Sequence, residues 1–315
     1  MSTHTISSYK FTFILLISFI EQEKKLNVSK IELNNINKEI VLEFLDWLQV
    51  KRKCSNATRN VRLAALHSFF RYLQYQHPEN ISEWQRILSI KQKKIKTKAI
   101  NYLTIDGMKL LLEQPDTSTH KGRRDLAMIG LMYDCAARVQ EISDLKPSSI
   151  RLNKPYTIKI VGKGNKARIV PLMEEEIAHI KRYMTENKLL ETSTRMNPLF
   201  YNSRKEQLTR AGINCILKKY INMARTENPI LIPEKVSCHT LRHSKAMHLL
   251  QAGINLVYIR DFLGHESVQT TEIYARADSK QKREAIEKAY VNIIKKETPG
   301  WIENNNLLEW LKSFN

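Results

Sequence analysis

Ser237-Cys-His-Thr-Leu-Arg-His-Ser-Lys-Ala-Met-His-Leu-Leu250, and then Phe262-Leu-Gly-His-Glu-Ser-Val-Gln-Thr-Thr-Glu-Ile-Tyr274, form the stretch around which this 315-residue chain is organised. His239 and Arg242 are three apart, so a helix places them on one face, a turn from each other. Leu256, Ile259, Phe262 and Leu263 make an apolar helical stripe, and Gly264 stands where a helix ends in the left-handed conformation. His265 follows at once. Ser267 can cap a further short helix with Tyr274 near its far end. Two imidazoles, a guanidinium and a phenol are thus gathered by short helices and tight turns. That set suits phosphate: guanidinium forks onto its oxygens and phenol can attack it.

The string His-x-x-Arg, Leu-Gly-His, and a tyrosine nine residues further on resembles the tyrosine recombinases of the phage-integrase type, and within them the Xer-like integrases. The resemblance implies a mainly α fold with a small β-sheet. It places a helical, SAM-like core-binding domain at 1–90 and a basic linker at 91–101. A mixed α+β catalytic domain follows at 102–295, with a tail at 296–315 able to dock on a neighbouring subunit. It further implies a site-specific recombinase that cleaves and rejoins DNA through a 3′-phosphotyrosine, without metal or other cofactor. Such an enzyme works as a homotetramer on paired sites in double-stranded DNA and is a monomer or weak dimer when free. The residues carried over are Arg138, Lys163, His239, Arg242, His265 and the nucleophile Tyr274. Members of the family usually have glycine two residues before the first arginine, where this chain has Ala136.

Composition points the same way. Lys and Arg number 51 against 32 Asp and Glu, a formal charge of +19, which suits a polyanionic partner. A hydrophobic content of 42% is enough to build cores and argues against global disorder. Cys54, Cys135, Cys215 and Cys238 are scattered without a Cys-x-x-Cys pair, so each reads as a small core residue in a reducing compartment. The apolar run 11–20 is about half of the roughly 20 residues a membrane span needs, and it lacks the flanks of a signal peptide. It reads as a buried helix. The expected location is the bacterial cytoplasm, in contact with the chromosome and not a membrane.

Along the chain, Ser7 or Ser8 can cap a first helix with Phe11, Ile14, Leu15 and Phe19 inward. Ile40, Val41, Phe44, Leu45 and Leu48 form a second stripe. A third helix begins near Ser55, with Ala57, Val61, Ala64, Ala65, Phe69, Tyr72 and Leu73 inward; its other face offers Thr58, Arg59, Asn60 and Arg62 to DNA. Lys91, Lys93, Lys94, Lys96 and Lys98 put five lysines into eight residues, a run that resists packing, reads as a linker and can neutralise phosphates. Thr104 can cap a helix carrying Met108, Leu111 and Leu112. Two β-rich runs flank Gly162-Lys-Gly-Asn-Lys166 as a hairpin, the tip on which the resemblance places Lys163, with Lys166 its nearest rival. Helices return over 174–190 and 209–224. A charged amphipathic helix is expected over 280–295.

The same residues admit other readings. Arg138 and Glu141 have the i, i+3 spacing of a surface ion pair. The glycines at 162–166 do not satisfy a phosphate-binding P-loop, which needs Gly-x-x-x-x-Gly-Lys-Ser/Thr between strand and helix. His239 and His243 have the His-x-x-x-His spacing of zinc proteases, but Thr240 stands where the glutamate is required. His243 and His248 therefore read as packing or solvated side chains, and His239 as a candidate base for Tyr274. A type IB topoisomerase would use similar chemistry without exchanging partners. A non-catalytic DNA-binding accessory protein would not need every catalytic position filled.

Overall fold

The computed structural model describes residues 3–95, 100–277 and 312, and the chain divides into two units, Met1–Lys98 and Ala99–Asn315. Lys96, Lys98, the helix expected over 280–295 and, Lys312 apart, the tail from 296 lie outside the described residues.

The first unit is helical: α1 (Thr3–Lys24), α2 (Lys38–Val50), α3 (Asn56–Gln76) and α4 (Ile81–Leu88). Side-chain caps set two of the starts, as Asn37 accepts from the Ile40 amide and Ser55 from that of Thr58. The core joins Leu16, Phe19 and Ile20 of α1 to Phe44 and Leu48 of α2, Leu63, Leu66 and Phe70 of α3, and Trp84 and Ile87 of α4.

Two expectations hold only in part, and for one reason. Leu15, Phe19, Ala65 and Leu73 are buried as expected, and their companions are not. Ser7 and Ser8 lie inside α1 rather than at its cap, and Phe11 (45%) and Ile14 (48%) are exposed while Leu15, Leu16, Phe19 and Ile20 are buried. On α3 the inward face includes Arg59, Leu63, Leu66 and Phe70, whereas Val61 and Tyr72 are exposed. Both helices are apolar over too wide an arc for periodicity to choose the buried side, so the neighbouring helices choose it. Arg59 is therefore not an open DNA contact; it is 4% exposed. Arg62 reaches across to α1, donating to the Ser8 carbonyl and to Thr12 Oγ1, each at 3.1 Å. Thr58 remains half-buried at the start of the helix.

The basic run is also less free than its charge suggests. Asn60 exchanges two hydrogen bonds with the Lys93 backbone, at 2.8 and 3.0 Å, and Asn56 donates to the Lys94 carbonyl at 3.0 Å. Exposed lysine side chains thus ride on a backbone pinned to α3. Local amide partners outweigh charge repulsion at this point.

The second unit contains α5 (Ile105–Glu113), α6 (His120–Asp134), α7 (Val139–Ser143), α8 (Glu174–Glu186), α9 (Arg210–Glu227), α10 (Cys238–Gln251), α11 (Leu256–Leu263) and α12 (Gln269–Ala277). Thr104, Thr119 and Thr209 cap α5, α6 and α9 by accepting from glycine amides three residues on. An antiparallel sheet runs β1 (Ile150–Arg151), β2 (Thr157–Val161), β3 (Ala167–Pro171), with Val161 opposite Ala167 at the hairpin end. β1 has no counterpart among the expected strands, because its two residues are too few for a period to show. Ile158, Ile160 and Val170 face a core shared with α6, α8, α9 and α10. Cys135 and Cys238 are buried as expected, but Cys215 is exposed because its position on α9 faces solvent. None of the described helices is long and apolar enough to cross a membrane.

Candidate active site

Arg242 lies on α10 and is 3% exposed, yet no carboxylate bonds it. Nη1 donates to the Ala136 carbonyl at 2.7 Å and Nη2 to the Leu263 carbonyl at 2.6 Å. One guanidinium therefore ties α10 to the chain just past α6 and to the last residue of α11. Ala136 is fully buried at φ +46°, a left-handed conformation that costs a side-chain-bearing residue about 1–2 kcal/mol. This is the position where the resemblance expects glycine, and the backbone keeps the glycine-like conformation without it.

Arg138 is the N-cap of α7. Its amide and its Nη1 donate to the two Glu141 oxygens at 2.9 and 2.7 Å, and Nη2 reaches the Gly264 carbonyl at 3.3 Å. The i, i+3 pair foreseen in the sequence exists, but it is no surface pair: Glu141 is 6% exposed. From β3, Arg168 donates to the same carboxylate at 2.8 and 3.2 Å. Burial pushes the Glu141 carboxyl up, and the hydrogen bonds and charge of Arg168, with the hydrogen bonds from Arg138, outweigh it and hold it below the ordinary carboxylate range. Gly264 holds φ +64°, and a Cβ there would stand 3.1 Å from Arg168 Nη1, so conformation and space both call for glycine.

The β2–β3 hairpin meets this cluster. A Cβ on Gly162 would stand 3.2 Å from Glu141 Oε1 and 3.7 Å from Arg138 Nη1, and Lys163 is the next residue, opening the turn Lys163–Asn165. Lys166 is exposed and pairs with Glu266 at 3.8 Å. A cleft of about 640 Å³ is bordered by Arg138, Lys166, Arg168 and His265.

His265 follows the left-handed Gly264, and its amide closes on the Arg260 carbonyl at 3.0 Å. Its Nδ1 meets the buried Thr271 hydroxyl at 3.0 Å; a hydroxyl that donates there leaves the ring proton on Nε2. Burial, then the Arg242 and Arg138 charges, push His265 down to about 4, so it is neutral at physiological pH. His239 stays open to solvent at the start of α10, and partial desolvation with Arg242 and Arg138 lowers its pKa too. Arg242 itself is pushed down to about 10, first by burial and then by Arg138, and remains a cation at neutral pH.

Tyr274 on α12 is 1% exposed, packed with Ala136, Ala246, Met247, Leu250, Ile259 and Leu263. Burial raises its phenol, while Arg242 and Arg138 pull the other way. Its hydroxyl meets His243 Nδ1 at 2.9 Å. Arg138, His239, Arg242, His265 and Tyr274 thus surround one region of the second unit, and the backbone of Lys163 borders it. The expected DNA contacts Thr58, Lys91, Lys93 and Lys94 belong to the first unit.

Three participants escaped the sequence reading: Arg168, Thr271 and the contact of His243. A signal existed for Arg168, which shares a strand face with buried Val170; an arginine there needs an anionic partner. His243 shares the face of His239 one turn on, a spacing weighed only as a metal pattern.

Known proteins match this chain along most of its length. The phage integrase family profile covers residues 101–281, and that of the phage integrase N-terminal SAM-like domain covers 1–77. The y4rC protein of Sinorhizobium fredii is 36% identical over 91% of this chain and 85% of its own length. The tyrosine recombinase XerC of Thermodesulfovibrio yellowstonii is 31% identical over 92% and 91%. The crystal structure of the XerH site-specific recombinase bound to palindromic difH substrate, a post-cleavage complex, superposes with a TM-score of 0.70 at 28% identity, covering 90% of this chain and 79% of that one. The two-part helical architecture, the arginine-rich site with its buried tyrosine and these matches lead to one assignment: the chain belongs to the phage integrase family, as a tyrosine-type site-specific DNA recombinase.

Proposed function

We propose that the enzyme cleaves and rejoins double-stranded DNA with Tyr274 as nucleophile. The phenolate oxygen attacks the scissile phosphorus, the bond to the 5′ oxygen breaks, and a 3′-phosphotyrosine keeps the bond energy for rejoining to another strand. Arg138 and Arg242 fork onto the non-bridging oxygens, where charge grows in the transition state. His265, neutral and held by Thr271, donates through Nε2, with His239 beside it. A single donor of this kind is worth about 10²–10³ in rate. Lys163 gives a proton to the departing 5′ oxygen. No step calls for a metal.

One observation carries this reading: Tyr274, buried at 1%, packs against both segments to which Arg242 is anchored, Ala136 and Leu263. Nucleophile and phosphate clamp therefore share one rigid cluster. Strand exchange between two duplexes needs four such sites, which supports a tetramer on paired DNA sites, with the tail from 296 as the expected coupler.

Tyr274→Phe tests the assignment. It should abolish covalent trapping on a nicked suicide duplex while leaving DNA binding nearly unchanged, since one hydroxyl is lost and no charge. An adduct that persists in the variant would move the nucleophile elsewhere. Relaxation of supercoiled plasmid without exchange between two sites would instead favour the topoisomerase alternative.

A further inference from the structure

The contact between Tyr274 and His243 has no part in the roles assigned above. We infer that His243, the residue after Arg242, is the base that takes the proton of Tyr274 during strand cleavage; this rests on Tyr274 being the nucleophile. The geometry is direct. His243 Nδ1 lies 2.9 Å from Tyr274 Oη, within the range for proton transfer, and the two rings stand 5.7 Å apart at 56°. Among the described residues, His243 is the side chain hydrogen-bonded to the phenol, from 31 residues away in sequence. His239, the base expected from the sequence, instead lies one turn back on α10, its ring centroid 6.4 Å from that of His243.

The protonation state fits the role. Burial, then the charges of His239 and Arg242, lower the pKa of His243, so the resting imidazole is neutral. Tyr274 carries its proton, because burial raises the phenol despite Arg242 and Arg138. A neutral imidazole with its proton on Nε2 presents the Nδ1 lone pair, and the phenol donates to it. As the phenol oxygen bonds to phosphorus and the bond to the 5′ oxygen breaks, the phenol proton passes to Nδ1 and an imidazolium forms. The 5′ oxygen takes its own proton from the general acid. In rejoining, the attacking 5′ hydroxyl gives up its proton to the deprotonated general acid, and the imidazolium returns the other to the departing phenolate. The titratable groups around His243 are Arg242 and His239 on its own helix and Tyr274 and His265 from the chain beyond α11, and the Arg242 charge opposes an imidazolium. A bound phosphate supplies the negative charge that offsets it.

His243→Asn is the decisive variant, because its side-chain oxygen can accept the phenol's hydrogen bond but cannot keep the proton. Single-turnover cleavage of a nicked suicide duplex should slow by about 10²–10⁴-fold with DNA affinity retained. The wild-type rate should fall as acid protonates His243, and the variant should lose that dependence. His243→Ala should be slow as well and recover with added imidazole, whereas Tyr274→Phe should not recover. Cleavage by His243→Asn at the wild-type rate would overturn the inference and reduce the contact to positioning. Faster cleavage by His243→Ala would overturn it too and mark the contact as a resting lock. If His243→Asn fails to fold, imidazole recovery of His243→Ala decides, and no recovery rejects the base. An adduct in Tyr274→Phe would refute the nucleophile assignment itself, a separate failure.

Discussion

Replacing Glu141 by glutamine asks whether the arginines of the site are held by charge or only by shape. The carboxylate accepts from the Arg138 amide, Arg138 Nη1 and both Arg168 terminal nitrogens, at 2.7–3.2 Å. Glutamine keeps the volume but turns an acceptor into an NH2 that faces a donor. Arg138, with 34% of its side chain exposed, can turn toward water; Arg168, at 10%, cannot. Removing one partner of a buried pair costs about 3–5 kcal/mol, and with one arginine free to escape the expected loss is about 3 kcal/mol at pH 7. For a unit of this size that lowers Tm by roughly 6–12 °C.

The loss should depend on pH in one direction. The folded Glu141 carboxyl titrates below its unfolded value, so its stabilisation is complete above about pH 4.3 and fades as pH falls through the lower folded pKa. Far-UV circular dichroism melts of wild type and Glu141→Gln at pH 7 and pH 3.5 should show the gap narrowing in acid. Hydrogen exchange in β2, β3 and α10 should place the loss at the site. A gap absent at pH 7, or one unchanged at pH 3.5, would refute the electrostatic account.

Two other outcomes follow from the same geometry. Ala136→Gly should fold within about 1 kcal/mol of wild type and keep cleaving, because relief of the left-handed strain offsets the added unfolded-state entropy, whereas Ala136→Val should lose more than about 2 kcal/mol; urea unfolding compares them. Lys163→Ala should slow cleavage strongly, with a smaller loss when the 5′ leaving oxygen is replaced by sulfur, which needs no general acid; equal losses on both substrates would make Lys163 a binding residue.

What the sequence made legible were features fixed locally. The caps at Ser55 and Thr104, the glycine ending α11 and the hairpin around 162–166 each follow from a few adjacent residues and stand as expected. The faces of α1 and α3 were legible only in part, because in a run such as Phe11-Thr-Phe-Ile-Leu-Leu-Ile-Ser-Phe-Ile20 nearly every side is apolar and the partner helix decides. The site divided the same way. Motif residues could be carried over by spacing, but Arg168 meets Glu141 across 27 residues and His243 meets Tyr274 across 31, and no local period encodes such pairings.

The two arginines of the site are held by opposite means, and the difference bears on catalysis. Arg138 shares a carboxylate with Arg168, so part of its charge is answered before any phosphate arrives. Arg242 is held by carbonyls at or just past the ends of α6 and α11, where helix dipoles leave partial negative charge and unpaired acceptors. Carbonyls fix its orientation without cancelling its charge. That explains how a guanidinium can be 3% exposed with no carboxylate hydrogen-bonded to it, the nearby Glu141 charge in support, and still be a cation that titrates at about 10. Lysine at this position would keep a charge but could not fork onto two carbonyls from one planar group. The ends of α6 and α11 would then lose the bridge that sets Ala136 and Leu263 around Tyr274. In the proposed mechanism clamp and nucleophile are coupled through Arg242, and the coupling depends on its planar fork as much as on its charge.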